Sequence, residues 1–233
     1  MKRMTKTSQL LQDMYRAMHA RFGHQGWWPG RTPLEICVGA ILTQNTNWTN
    51  VAKAIANLKN AGKLDLPALH ALSLDPLAEL IRPAGYFNIK AKRIKNFVSR
   101  VMDSFAGDLE AFFARPVSSL REDLLSINGI GRETADSMIL YAAGKPTFVV
   151  DTYTYRILLR HFLIAREDDY ESIKELMESS LPPDADGRPD AALYNDYHAQ
   201  LVAVGKQYCR PAAKCEGCPL AEFPHEPNAG MEE

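Results

Sequence analysis

No apolar run in this chain approaches the ~20 residues that cross a bilayer as a helix, so no membrane span is expected. Positions 1–6 are basic but lead into an amphipathic pattern rather than an apolar core, so a secretory signal is not expected and a cytosolic location is. Net charge is nearly absent: 27 Lys and Arg against 28 Asp and Glu leave −1 over 233 residues. Overall charge therefore gives no support for a nucleic-acid partner. Strand signals are scarce, and only 147–150, Thr-Phe-Val-Val, reads as extended. No internal repeat or low-complexity tract is visible. With 46% hydrophobic and 24% charged residues, composition is that of an ordinary globular chain and excludes disorder over most of its length.

What is present is helical periodicity. Leu10, Leu11, Met14, Tyr15, Met18 and Phe22 form one stripe, and Leu34, Cys37, Val38, Ile41 and Leu42 a second, with Pro33 suited to the first turn. Val51, Ala54, Ile55 and Leu58 form a third. Ile94, Phe97, Val98 and Val101 form a fourth. Met138, Ile139 and Tyr141, then Ile157, Leu158 and Phe162, then Leu193, Tyr197, Leu201 and Val204 continue the pattern. The spacing predicts an all-α protein of about ten helices with short connections. The Pro-rich stretch 182–189 reads as a loop, and 224–233 as a frayed end.

Charge is unevenly placed. Between Leu80 and Met102 there is no acidic residue, while Arg82, Lys90, Lys92, Arg93, Lys95 and Arg100 put +6 there and leave −7 for the rest. Such an island serves equally as a phosphate footprint or as a solvated helix face. A second signal is Leu124-Leu125-Ser126-Ile127-Asn128-Gly129-Ile130-Gly131-Arg132-Glu133-Thr134-Ala135. Here one helix ends, two glycines allow positive φ, and another helix begins at once. The backbone amides at such a turn point outward at a helix start and can hold a phosphate, although a tight helix–helix turn needs the same glycines.

This segment resembles the helix-hairpin-helix of the endonuclease III, or helix-hairpin-helix-GPD, superfamily of DNA glycosylases. The following Gly144-Lys145-Pro146 and Val149-Val150-Asp151-Thr152 are similar to that family's Gly/Pro loop and aspartate. Ile41-Leu42-Thr43-Gln44-Asn45-Thr46 is similar to the segment that supplies an intercalating glutamine. The likeness runs from about residue 32 to 219. It implies a two-domain, endonuclease III-like fold, expected as 24–136 with the hairpin and 1–23 plus 137–233 with the aspartate, and an active cleft between the two.

The resemblance makes Asp151 the catalytic carboxylate that stabilises a developing sugar cation and helps activate water. Read from sequence alone, Asp151 is also a good helix N-cap. Members of the family that cleave the strand carry a lysine directly after the hairpin Arg, where this chain has Glu133, which cannot form an imine. A monofunctional glycosylase is therefore expected. Adjacent Trp27, Trp28 and Pro29, with Trp48, resemble the 3-methyladenine DNA glycosylase branch and are the expected walls of a pocket for a flipped, cationic purine. Packing anchors are the plainer reading of the same tryptophans. Gln44 is the expected wedge. Gly129, Ile130, Gly131 and Thr134 of the hairpin, with Lys90, Lys92 and Arg93, are the expected phosphate contacts. Asn88 is placed to cap the helix carrying that basic run.

Four cysteines are present, and three cluster near the C-terminus, which in a chain without a secretory signal suggests metal before disulfide. The family's [4Fe–4S] pattern is Cys-x6-Cys-x2-Cys-x5-Cys. Here Cys209-x5-Cys215-x2-Cys218 is followed by Pro224 at the fourth place. A metal-free remnant, a set completed by His225, and a labile three-cysteine cluster are the readings, the first preferred. Cys37 reads as core. Without metal something else must hold the C-terminal loop, and the charge of Lys206 is one candidate. No cofactor is expected for the chemistry. The expected partner is double-stranded DNA carrying a damaged base, met by a monomer in the cytoplasm at the nucleoid. The alternatives are a bifunctional glycosylase/AP lyase acting on oxidised pyrimidines and a non-catalytic lesion-binding module.

Overall fold

A computed structural model describes residues 5–230. The basic start at 1–4, from which a non-secretory chain was expected, and the last three residues lie outside these. Among the described residues there are twelve α-helices and no strand, and no helix is long and apolar enough to cross a membrane. The chain is all-α. It divides into two compact units, one formed by 28–145 and the other by 1–27 with 146–233.

The middle unit is built on α2 (Pro33–Leu42), in which every residue after Pro33 is buried. A helix apolar on nearly all sides belongs inside a bundle. Its Thr32 hydroxyl accepts from the Glu35 amide, and Pro33 needs no amide partner at that position. Glu35 is tolerated inside because Lys59 pairs with it at 2.7 Å. Around α2 lie α3 (Trp48–Asn60), α4 (Leu66–Ala71), α5 (Leu74–Leu80), a 3₁₀ turn at Arg82–Ala84 and α6 (Phe87–Phe105). Further along come α7 (Leu109–Ala114), α8 (Val117–Ser126) and α9 (Arg132–Ser137), which runs into a π-helical turn at Met138–Ala142. In α6 the buried positions Lys90, Ala91, Ile94, Phe97, Val98 and Val101 fall on one face. Tyr86, left-handed at φ 46°, precedes α6, and no side chain caps it. Asn88 thus lies inside the first turn and does not perform the capping expected of it, because the helix starts one residue earlier than its polar signal.

In the other unit, α12 (Ala191–Gln207) packs against α1 (Lys6–Phe22) and α10 (Thr152–Arg160), while α11 (Tyr170–Ser180) meets α1. Buried Asp196 on α12 is satisfied by the Tyr15 hydroxyl at 2.8 Å, the Gln25 amide at 3.1 Å and Gln200 at 3.2 Å. Gly205 lets α10 come close, since a Cβ there would collide with the Tyr153 ring. The segment 224–230 is not frayed. The Glu226 amide donates to the Arg160 carbonyl at 2.8 Å, and the Pro224 carbonyl lies 3.0 Å from His161 Nδ1.

Candidate active site

In the middle unit, α8 and α9 are joined by a five-residue turn. Gly129 takes φ +94°, and Ile130 is buried as a plug, its amide donating to the Ile127 carbonyl at 3.0 Å. Gly131 begins α9 with no side-chain cap. The two helices are tied by a buried fork in which Arg121 donates through Nε and Nη2 to both oxygens of Asp136, at 2.9 and 3.0 Å. Asn96 of α6 donates to the Asn128 carbonyl at 2.9 Å.

Gln44 lies against this turn. Its Nε2 donates to the Thr134 hydroxyl at 2.9 Å and to the Gly129 carbonyl at 3.3 Å, and its Oε1 accepts from Arg93. The Arg93 stem occupies the space that a Cβ on Gly129 would need. Gln44, Arg93, Gly129 and Thr134, four residues expected to face DNA, thus form one local network.

The basic island is not one surface. Lys90 is buried, and its ammonium donates to the carbonyls of Leu42 at 2.9 Å and Ala84 at 2.8 Å. This corrects its expected place among the phosphate contacts: at 3.6 residues per turn it falls on the inner face of α6. Lys95 donates to the carbonyls of Leu69 and Leu72, at 3.1 and 2.9 Å, in the last turn and at the C-cap of α4. Arg100 pairs with buried Asp123, and Arg82 with Glu79. Lys92 stands on the exposed face.

Trp28 meets Trp48 edge-on, with ring centroids 5.4 Å apart, and Tyr141 at 5.2 Å. Gly39 of α2 leaves room for the Trp28 ring. Tyr141 comes from the π turn. It reads in sequence only as part of an apolar stripe, and no signal marks a π turn there. Trp27 belongs to the other unit, where the Lys206 ammonium lies over its ring at 5.4 Å. Pro29 is exposed. Trp28 and Trp48 are therefore brought together within one unit, while Trp27 has a different neighbourhood.

Asp151 stands where 146–150 turns into α10. Its Oδ1 accepts from the Thr154 amide at 2.7 Å, the capping bond expected of it. Its Oδ2 lies 3.6 Å from His198 Nε2 on α12, an ion-pair distance when the ring is protonated. Burial pushes the Asp151 carboxyl up, but His198 and the Thr154 groups outweigh it and hold the acid below its ordinary range. The side chain keeps 14% of its surface open, so an ionised carboxylate faces a small window. Sequence reasoning missed His198, because nothing marks a histidine 47 positions downstream as its neighbour.

Cys209, Cys215 and Cys218 line one pocket with His161, His225 and Arg160. Arg160 is buried and donates to Cys209 Sγ at 3.3 Å and, at 2.7 Å each, to the carbonyls of Arg210 and Pro211. His225 Nδ1 lies 2.8 Å from the Phe223 carbonyl. Among the described residues no three Cys, His, Asp or Glu side chains converge to hold a metal ion. The cysteine set lacks the fourth thiolate that the family's [4Fe–4S] pattern takes. The role imagined for Lys206 in holding this loop falls instead to Arg160. Cys37 is wholly buried in α2.

An uncapped hairpin turn with a glutamine beside it lies in one unit, and a carboxylate opening α10 lies in the other. Residues 38–183 match the model of the HhH-GPD superfamily base excision DNA repair proteins, and the chain belongs to that family. It is 43% identical over 216 residues to the putative DNA repair glycosylase MJ1434 of Methanocaldococcus jannaschii, covering 92% of this chain and 96% of that protein. Among solved structures it resembles the H. pylori 3-methyladenine DNA glycosylase MagIII bound to 1,N6-ethenoadenine, with TM-score 0.73 and 30% identity over 87% of this chain and 98% of that one. A non-covalent endonuclease III–DNA complex shares the fold, with TM-score 0.79 and 21% identity over 96% and 97% of the two chains.

Proposed function

We propose that this protein is a monofunctional DNA glycosylase that flips an alkylated purine of the 3-methyladenine type out of double-stranded DNA and hydrolyses its N-glycosidic bond, leaving an abasic site. The observation that carries the reading is Asp151, a carboxylate kept ionised within its unit yet open through a narrow window. As the bond from the sugar to the base breaks, positive charge grows on the sugar, and a fixed carboxylate stabilises it. The same group helps align and deprotonate the water that attacks the sugar carbon; the cationic base leaves as the neutral purine with the bonding electron pair, and the proton passes from the carboxyl to solvent. Glu133 offers no amine for a Schiff base, so the strand is left intact. Trp28, Trp48 and Tyr141 supply aromatic faces that favour a cationic base. Pro29 joins this pocket on sequence adjacency alone. Gln44 fills the vacated stack after leaving its partners at the hairpin. The amides of Gly129 and Gly131 and Lys92 hold phosphates, with Ile130 and Thr134 keeping the turn in shape. The protein acts as a monomer in the cytoplasm, on the nucleoid. Its chemistry draws on no cofactor, and the three-cysteine pocket serves as a structural element rather than a [4Fe–4S] site.

The test incubates the protein with methylated duplex DNA and scores free base and strand breaks separately. Release of 3-methyladenine with strands intact until alkali treatment is expected, with Asp151→Asn binding the same DNA but releasing base about 10²–10⁴-fold more slowly. Breaks accompanying release would restore the bifunctional reading. Binding without release by the native protein, on alkylated and oxidised duplexes alike, would favour a lesion-binding module.

A further inference from the structure

We infer that His198 is the positioning residue that fixes the Asp151 carboxylate in direction and charge for base excision, an inference that rests on the role proposed for Asp151. A carboxylate withdrawn from water tends to gain a proton, and a protonated acid neither stabilises a sugar cation nor accepts a proton from water. Asp151 has one restraint at each of its two oxygens. The Thr154 amide takes Oδ1 at 2.7 Å, and the His198 imidazole faces Oδ2 at 3.6 Å. The amide comes from the helix that Asp151 itself begins and would be present for any capping aspartate. The imidazole comes from α12, and its side chain is 5% exposed. Phe148 packs edge-on against the imidazole, with ring centroids 6.4 Å apart, and helps hold its orientation.

Titratable groups on α1 and α11 bond to other partners. On α1, Tyr15 donates to Asp196, which His24 also approaches at 3.8 Å. On α11, Glu178 pairs with Lys174 and accepts from the Phe148 amide, and the Tyr170 hydroxyl accepts from the Val150 amide at 3.5 Å. His198 is thus the side chain that reaches Asp151 from α12, and a protonated ring at this distance favours the ionised carboxylate.

The test compares native protein, His198→Gln and His198→Ala. The Asp151 carboxyl is titrated by NMR with ¹³Cγ-labelled aspartate and assigned through Asp151→Asn. Single-turnover base release from methylated duplex is followed against pH, and duplex affinity is measured separately. The Asp151 midpoint is expected to rise in both His198 variants. The acid limb of base release should move upward with it while affinity stays within about twofold, as a positioning role requires. Because the titration needs no turnover, it reads the inference even if methylated DNA is not the substrate. An unmoved midpoint in a folded His198→Gln protein would overturn the inference, and a lowered melting temperature with an unmoved midpoint would make His198 a packing residue only. No base release from native protein, with the midpoint raised in the variants, would sink the proposed substrate and leave the pairing of His198 with Asp151 standing.

Discussion

Arg121→Met probes whether the hairpin is held by its buried fork. Asp136 is completely buried, and Arg121 donates to both of its oxygens at 2.9 and 3.0 Å across the α8–α9 junction. Methionine keeps most of the stem and removes the guanidinium, so a buried carboxylate loses its cation. Breaking such a pair from one side costs about 3–5 kcal/mol. For a chain of this length each kcal/mol moves the melting temperature by about 2–4 °C, giving a drop of roughly 6–20 °C. Thermal unfolding followed by circular dichroism reads the drop, and amide exchange places the loss at 117–137. Arg121→Met combined with Asp136→Leu should recover most of it, because an apolar pair of similar volume is often neutral or better than a buried ion pair. A single variant within about 1 kcal/mol of native, or a double variant worse than the single, would refute the reasoning.

Two further outcomes follow from the same packing. Burial and nearby Arg93 push Lys90 down to about 8, whereas an unfolded lysine holds its proton to about 10.4. Between these pH values the unfolded chain binds more protons, so Lys90 adds stability as pH rises and loses that contribution as pH falls through 8. The stability of native protein relative to Lys90→Met should therefore grow from pH 8 to 10 in urea titrations, and a constant difference would contradict this. Gly205→Ala drives a methyl into the Tyr153 ring and should cost about 1–3 kcal/mol in the same assay, whereas an unchanged midpoint would mean that α10 and α12 separate freely.

The helices were legible because burying one face leaves a 3.6-residue trace in the sequence. One start was legible too: Asp151 accepts the amide three residues on, as its residue type suggests. Direction around a helix was harder. The +6 island was counted along the chain, but α6 turns Lys90 inward and Lys92 outward, and charge alone cannot say which cation has buried carbonyls to meet. Asn88 failed as a cap because the left-handed Tyr86 starts the helix earlier. Long-range partners were not legible at all. Tyr141 reaches Trp28 from a π turn, and His198 reaches Asp151 from a helix 47 residues away. Arg160 had the bland look of one more charged residue at a helix end, yet it ties down a loop some 50 positions downstream.

Helix α10 has Asp151 at its first turn and Arg160 at its last, nine residues that span roughly 14 Å. It therefore works as a short girder with a chemical group bolted to one end and the tail bolted to the other. Arg160 grips the chain at 209–211, and its carbonyl receives the Glu226 amide. Prising the tail away would strip the far end of the girder of its braces, and fraying from that end has only two turns to travel before the carboxylate loses its seat. A nick or truncation beyond residue 208 would in this way act on base excision without touching a residue near the DNA.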